Sequence, residues 1–284
     1  MSEGRAALPI GVFDSGIGGL TVLHELLVSL PEEDYLYLGD TAGFPYGNKA
    51  PEWLRPRIAG LVEFLLERGA KLLVVACNSA TAAGADVTRN VAAEHGVEVL
   101  TVVAPEAEIA AAISDSHRIG VLATPTTVES GAYRIALEET AGHPELDVIE
   151  VPAPRLASII QNGFPFDEEV IETVRSYCAP LREAGVDTLI LGCTHYPLVA
   201  PMLQRMLGRD VRLVTAGHAL AAAAQRTLEA GGIGTANRGE GTYRFLCTGD
   251  VESFRDLGTR FLQMPLGEVE QVEFETPPAA TLNP

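Results

Sequence analysis

The segment at residues 187–197, DTLILGCTHYP, combines the pattern of a short buried strand with a cluster of reactive side chains. Three aliphatic residues lead to Gly192, and the chain then presents the thiol of Cys193, the hydroxyl of Thr194 and the imidazole of His195. A short apolar run that stops at a glycine predicts a buried strand. Ligands of open α/β sheets bind in the crevice beyond the carboxyl ends of the strands. The segment therefore predicts a site at this strand end.

The same arrangement occurs earlier in the chain. The segment at residues 71–79, KLLVVACNS, leads from an apolar run to Cys77, Asn78 and Ser79, and an alanine-rich, helix-prone stretch follows. Two strands that each end on a cysteine with polar neighbours predict one site built from two halves of the chain.

Strand-like and helix-like segments alternate along the 284 residues, which is typical of parallel sheets with helices on both faces. Residues 11–16 (GVFDSG) and 120–125 (GVLATP) each open a strand–loop–helix unit, and a cysteine strand follows later in each half. We predict an α/β fold of two pseudo-symmetric doubly wound domains with mainly parallel sheets and an active site in the cleft between them. The predicted first domain is residues 1–103 plus 214–267, the second is 104–213, and 268–284 is a flexible tail.

Charge and cysteine spacing exclude several classes of protein. The formal net charge of −18 disfavours nonspecific binding to nucleic acid or to anionic membranes. No cysteine pair has the CxxC spacing of a zinc site or a thioredoxin-like motif, so we expect no metal. The chain also lacks a signal-peptide pattern and a run of about 20 apolar residues, so we expect a cytoplasmic protein. Cys178, in a predicted helix, and Cys247, without a polar cluster, are expected to be structural.

A glycine-rich loop, DSGIGG at residues 14–19, follows the first predicted strand. The third glycine of a dinucleotide-binding motif is replaced by Thr21, and no P-loop sequence is present. The loop is therefore interpreted as a tight turn whose backbone amides bind an anion. Asp14 is either a functional carboxylate or a helix N-cap, and the motif alone does not decide between them.

A predicted helix N-terminus beside Cys77 and Cys193 would lower the pKa of each thiol and favour the reactive thiolate. The alternative is that both are small buried core residues. Two such strand ends favour function. His195, close to Cys193 in sequence, also raises the hypothesis of a Cys–His thiol hydrolase, in which Cys77 would be dispensable. Asp40 with Tyr46 and Gly47 is interpreted, on its own, as turn chemistry.

Four segments together resemble glutamate racemases, of the cofactor-independent aspartate/glutamate racemase superfamily. They are DSGIGGL (14–20), GDTAGFPYG (39–47), ACNSAT (76–81) and GCTHYPL (192–198), and the match extends to about residue 262. The resemblance implies that L- and D-glutamate are interconverted at Cα without a cofactor. One thiolate removes the Cα proton and the opposite thiol supplies one. It further implies that D-glutamate is supplied for peptidoglycan, cell wall biogenesis and cell shape, and that the protein forms a homodimer.

The resemblance also implies roles for individual residues. Cys77 would act on the D-enantiomer and Cys193 on the L-enantiomer, with Asp14 and His195 assisting proton transfer. The implied substrate-binding residues are Asp14, Ser15, Tyr46, Gly47, Asn78, Ser79, Thr194 and His195.

The sequence departs from the family pattern at three positions. Ser79 replaces a common Thr and keeps the hydroxyl, and Gly43 stands where an Arg is frequent. Gln161 falls where members often carry Glu, which puts a carboxylate at that place in doubt.

Three other functions remain open at this point. The first is a racemase of aspartate or another acidic amino acid, and the second is the thiol hydrolase. The third is a noncatalytic role in which the acidic protein binds a basic surface of a partner. Inhibition of DNA gyrase, reported for some members of the family, would be a second function of this kind.

Overall fold

The structure is a computed structural model that describes residues 2–141, 146–163 and 167–274. Strands and helices alternate along the chain, as predicted. The strands are β1 (Ile10–Asp14), β2 (Tyr35–Gly39), β3 (Leu72–Val75), β4 (Glu98–Thr101), β5 (Arg118–Ala123), β6 (Asp147–Pro152), β7 (Thr188–Gly192), β8 (Arg212–Val214), β9 (Tyr243–Cys247) and β10 (Val269–Gln271). The helices are α1 (Ser2–Ala6), α2 (Leu20–Ser29), α3 (Pro51–Glu67), α4 (Asn78–Glu94), α5 (Val103–Ile113), α6 (Pro125–Glu129), α7 (Ala132–Ala141), α8 (Leu156–Gln161), α9 (Glu168–Ala184), α10 (Ala200–Leu207), α11 (Gly217–Gly231) and α12 (Val251–Leu262).

The strands form two parallel sheets. The first has the order β10-β9-β2-β1-β3-β4 and the second has the order β6-β5-β7-β8. Each neighbouring pair is parallel, including β1 with β2 and β3, and β5 with β6 and β7. The order β2-β1-β3-β4 is therefore repeated as β6-β5-β7-β8. This repetition confirms the predicted fold of two pseudo-symmetric α/β units.

Helices cover the sheets, and the central strands are consequently buried along their whole length. One continuous apolar cluster includes residues of both sheets, such as Val12 of β1 and Val121 of β5, together with Leu23 of α2 and Leu220 of α11. A second cluster lies between the first sheet and helices α3 and α4. The two sheets therefore share one core, although each belongs to a different repeat.

Helix α3 begins at Pro51 and helix α6 begins at Pro125, and proline is favoured at the first helical position. Helix α5 connects the first sheet to the second. The predicted domain boundaries fall at the start of α5 and the end of β8, and they stay a prediction.

The described part of the predicted tail is attached to the first sheet. Residues 269–271 pair with β9 as the edge strand β10, and Val272 is buried. The ring of Phe274 lies 5.2 Å from the guanidinium carbon of Arg57. Val269 packs against the apolar cluster that includes both sheets, whereas Val272 and Phe274 pack with the second cluster, so the segment makes apolar contacts on both sides of the first sheet. Residues 275–284 lie outside the described residues.

A buried ion pair fixes the start of β3, the strand that leads to Cys77. Lys71 Nζ lies 2.6 Å from Glu33 Oε2, and the two side chains are 0% and 5% exposed. The same ammonium group donates to the carbonyl oxygen of Ala6, and the other carboxylate oxygen of Glu33 accepts from the backbone N–H of Thr235. The pair therefore joins α1, the segment before β2 and the segment before β9 to the start of β3.

We predict that Lys71→Ala lowers the free energy of unfolding by roughly 3–5 kcal/mol, because it leaves the Glu33 carboxylate buried without its cation. Urea unfolding followed by circular dichroism measures the change. Arg244→Ala is the control, since Arg244 and Glu270 are 3.4 Å apart and exposed, and it should cause little change. Equal effects of the two substitutions would contradict the structural role given to Lys71.

Candidate active site

The glycine-rich loop holds a buried carboxylate at the end of β1. Asp14 is 0% exposed, and its Oδ1 accepts from the backbone N–H of Gly16 at 2.8 Å. Helix α2 begins after Gly19 without a side-chain cap, so Asp14 is not its N-cap. Burial raises the pKa of Asp14, and hydrogen bonds from the loop amides and from Thr194 act in the opposite direction.

Cys77 lies at the N-cap of α4. Its Sγ accepts from the backbone N–H of Ala80 at 3.4 Å and lies 3.5 Å from Ser15 Oγ. Burial raises the pKa of Cys77 to about 12, the Asp14 charge adds to this, and the hydrogen bonds from Ser15 and Ala80 lower it. The predicted effect of the helix N-terminus is therefore present, but burial outweighs it.

Cys193 follows the end of β7 and is also buried. The turn after it, Tyr196–Val199, is a 3₁₀ helix rather than the α-helix predicted to lower the thiol pKa. Its Sγ lies 3.9 Å from His195 Nδ1. Burial raises the pKa of Cys193, and the backbone N–H of His195 lowers it. The two thiols thus have different surroundings, a helix N-terminus for Cys77 and an imidazole for Cys193.

His195 is held in one tautomer by Gln161. Its Nε2 lies 2.9 Å from Gln161 Oε1, a carbonyl oxygen that can only accept, so the proton is assigned to Nε2. Burial lowers the pKa of His195 to about 3, so the ring is neutral at physiological pH. The unprotonated Nδ1 therefore faces Cys193. Phe44 and Phe261 pack on the ring at centroid distances of 5.4 and 5.1 Å.

A hydrogen bond joins the two strand ends across the cleft. Thr194 Oγ1 donates to Asp14 Oδ2 at 3.1 Å, and Thr21 Oγ1 donates to the carbonyl oxygen of Thr194 at 3.1 Å. Gly18 packs against the same region, because a Cβ built there would overlap Thr194 Oγ1 and His195 Nδ1. The backbone of the first unit therefore contacts the second without an intervening side chain.

Both thiols line one small cavity of about 20 Å³ between the two sheets. This volume holds about one water molecule. The predicted site residues that line it are Ser15, Tyr46, Gly47, Cys77, Asn78, Ser79, Cys193, Thr194 and His195. Asp14 is not among the residues that line the cavity, but it accepts a hydrogen bond from Thr194, which is.

Tyr46 and Gly47 contribute to the site differently from the other residues. The hydroxyl of Tyr46 donates to Asp40 Oδ2 at 2.5 Å, and Arg57 Nε lies 2.5 Å from the same oxygen. Asp40 is therefore the centre of a buried network rather than only a turn residue. A Cβ at Gly43 would overlap this carboxylate, so the network fills the space there. A Cβ at Gly47 would overlap Thr124, so glycine allows close approach of the two units.

Thr124 was missed by reasoning from the sequence. It follows the end of β5 and lines the cavity, and its Oγ1 lies 2.9 Å from Ser79 Oγ. Its position corresponds to that of Ser15 after β1. The alignment of 11–16 with 120–125 contained the signal, because it pairs these two hydroxyl residues.

The described parts of the chain contain neither a metal-binding cluster nor a membrane-spanning helix. No group of three or more His, Cys, Asp or Glu side chains there could hold a metal ion. No helix there is long and apolar enough to cross a membrane.

Comparisons with known proteins give a consistent result. The pattern of the Asp/Glu/Hydantoin racemase family matches residues 22–224. A glutamate racemase from Geobacter metallireducens is 39% identical over 266 residues, which are 94% of this chain and 97% of that protein. The crystal structure of a glutamate racemase isoform from Bacillus anthracis has a TM-score of 0.87 at 35% identity, with 94% of this chain and 97% of that one covered. A glutamate racemase from Francisella tularensis, crystallised with D-glutamate, has a TM-score of 0.87 at 30% identity, with 94% and 98% covered.

We predict that Gly18→Ala lowers kcat/KM by roughly 100-fold, since the added methyl group displaces Thr194 and His195 and a misplacement of about 1 Å has such a cost. Steady-state kinetics measures the effect. Gly267→Ala is the control, because no atom lies within 4 Å of a Cβ there. Full activity of the Gly18 variant would show that the contact between the units is not required.

We also predict that Gln161→Glu raises the pKa of His195 by roughly 1–3 units, because a carboxylate beside Nε2 stabilises the imidazolium. Titration of the His195 resonances by NMR measures the shift. Gln225→Glu, an exposed position on α11, should leave these resonances unchanged. An identical titration of the parent protein and the Gln161 variant would contradict the assigned hydrogen bond.

Proposed function

Since the chain belongs to the Asp/Glu/Hydantoin racemase family, we propose that it is an isomerase that interconverts L-glutamate and D-glutamate. The observation that carries this proposal is that two buried thiols, one from each α/β unit, line the same cavity. A thiol hydrolase has no use for the second of them. The glutamate racemases that align with nearly the whole chain also favour glutamate over aspartate as the substrate.

Inversion at Cα requires a base on one face of the carbon and an acid on the other. In the direction from D to L, the Cys77 thiolate removes the proton, so the C–H bond breaks and an S–H bond forms. The Cys193 thiol then gives its proton to the opposite face. The reverse reaction exchanges these roles. Each turnover leaves the two cysteines with their protonation states exchanged, and free enzyme returns by proton exchange.

Burial makes each thiolate costly, so ionisation depends on local groups. The unprotonated Nδ1 of His195 faces Cys193 at an Sγ–Nδ1 distance of 3.9 Å and assists proton transfer there as a hydrogen-bond acceptor for the thiol. Ser15 Oγ and the backbone N–H of Ala80 stabilise a thiolate at Cys77. Asp14, linked to Thr194, assists on the Cys77 side as a positioned carboxyl group. The ammonium group of bound substrate adds a positive charge that lowers both thiol pKa values.

Hydroxyl and amide groups are the ligands for the substrate carboxylates. Ser15, Ser79 and Thr194 supply hydroxyls at the cavity wall, Asn78 supplies an amide, and Gly47 supplies backbone. The cavity of about 20 Å³ is too small for glutamate, so we propose that the two units separate to admit it and close around it. Closure then removes water from the carbanion and the thiolate.

We propose that the D-glutamate produced is used for peptidoglycan synthesis in the cytoplasm, and thus for cell wall biogenesis and cell shape. The similarity to glutamate racemases over 94% of the chain supports this assignment. The expected homodimer and the gyrase interaction remain predictions, which sedimentation and a supercoiling assay respectively would test.

We predict that Cys77→Ser and Cys193→Ser each lower racemisation by roughly 10²–10⁴-fold, because each removes one of the two acid–base groups. The protein is incubated with L- or D-glutamate in heavy water without added cofactor, and deuterium at Cα and optical rotation are followed. Cys178→Ala is the control, since Cys178 lies within α9 away from the cavity, and it should retain activity.

The outcomes separate the hypotheses. Racemisation that survives Cys77→Ser would contradict the two-thiol mechanism. Exchange on aspartate but not on glutamate would retain the mechanism and change the substrate. No exchange on any acidic amino acid would overturn the racemase assignment.

A further inference from the structure

Glu106 is a buried carboxyl group that the proposed reaction does not yet use. It is the fourth residue of α5, the helix that leads from the first sheet to the second, and it is 1% exposed. Neither the glycine-rich loop nor the cysteine segments contain it.

Three segments converge on this carboxyl group. Its Oε2 accepts from Asn78 Nδ2 at 3.1 Å and from the hydroxyl of Tyr133. Asn78 Nδ2 also lies 2.7 Å from the Tyr133 hydroxyl, and the backbone N–H of Ala216 donates to the carboxyl group. Asn78 belongs to α4, Tyr133 to α7, and Ala216 precedes α11. Glu106 therefore joins the segment that follows Cys77 to a helix of the second unit.

A second cavity, of about 110 Å³, adjoins Glu106. Asn78, Cys193 and Thr194 line both this cavity and the smaller one between the thiols, so these three residues form a wall between the two spaces. Glu106 thus lies behind the wall, on the side away from the proposed substrate.

The surroundings of Glu106 contain no lysine or arginine among the described residues that line this cavity. The titratable groups that face it are Tyr133 from α7, Cys193 beyond β7, and His24 and Glu25 from α2. On α11, His218 lies 3.0 Å from Glu25 and is mostly exposed. Among the described residues that line the cavity, hydrogen bonds rather than a lysine or arginine therefore offset the charge of the carboxylate.

We propose that Glu106 is a positioning residue for racemisation, which fixes the Asn78 amide at the wall of the site and places a titratable charge behind the Cys193 thiol. The inference rests on the two-thiol function proposed above. Its two parts follow from the same side chain and are tested separately.

The pH dependence of this effect has a definite sign. Burial raises the pKa of Glu106 to about 8, so the group is mostly uncharged at pH 7 and charged at pH 9. A charged Glu106 raises the pKa of Cys193, since two neighbouring negative charges repel. Removal of the Glu106 charge should therefore make the Cys193 thiolate easier to form at pH 9 and have little effect at pH 7.

The first test measures alkylation of Cys193 by iodoacetamide in the full-length protein, with the Cys193 peptide quantified by mass spectrometry. We expect Glu106→Gln to react roughly threefold to tenfold faster than the parent at pH 9 and within about twofold of it at pH 7. Glu108→Gln, an exposed position on the same helix, is the matched control and should react as the parent does at both pH values. Equal rates for the two variants at pH 9 would overturn the electrostatic part.

The second test is a double-mutant cycle on kcat/KM at pH 7. Glu106→Ala removes the acceptor for Asn78 and should lower kcat/KM by roughly 10-fold, whereas Glu106→Gln keeps an acceptor oxygen and should stay within about threefold of the parent. In the Asn78→Ala background, Glu106→Ala should cost no more than about twofold further. Thermal unfolding checks that all the variants are folded. If they are folded and the effects of the two substitutions on kcat/KM are strictly additive, the positioning part is overturned.

Failure of this inference is distinguishable from failure of the proposed function. If the parent protein racemises no acidic amino acid, the proposed function itself is wrong, and if Cys77→Ser or Cys193→Ser keeps full racemisation, the two-thiol mechanism is wrong. If both thiols are required but the Glu106 variants behave like Glu108→Gln, only the role of Glu106 is wrong.

Discussion

The hydrogen bond from Thr194 Oγ1 to Asp14 Oδ2 links the two parallel sheets at the point where the site forms. Asp14 is the last residue of β1, and Thr194 follows the end of β7. The bond therefore holds the carboxyl ends of the two sheets against each other. Because both groups are buried, the bond is protected from competition with water. The shared cavity depends on this approach, as do the close contacts that Gly18 and Gly47 permit.

The two halves share a strand order but not the chemistry around their thiols. Cys77 has a helix N-terminus and a hydroxyl, whereas Cys193 has a neutral imidazole held by Gln161. Enantiomers have equal free energies in water, so kcat/KM must be equal in the two directions whatever the surroundings of each thiol. Unequal surroundings can therefore affect kcat and KM separately for each enantiomer while their ratio is conserved.

Most of the fold could be predicted from the sequence, because the strands are short apolar runs that end at glycine or at polar residues. The sequence pattern also placed both thiols, His195 and the hydroxyls of the site at the ends of strands. It did not contain the pairing of His195 with Gln161, nor the network of Glu106, because these contacts join residues 27 to 55 positions apart across the packed units. The pKa of Cys77 could not be derived either, since the helix N-terminus is visible in the sequence but the opposing burial is a tertiary property.

One apolar cluster runs through both sheets and through helices α2, α5 and α11. A wide separation of the units on that side would expose packed aliphatic side chains to water, at about 25 cal/mol for each Å². The cavity side is held instead by a few hydrogen bonds and by glycine contacts. We therefore expect the separation of the units proposed above to be a rotation about the shared core. Both thiols line the cavity on the side held by these few contacts, so one movement of this kind would expose both of them to substrate.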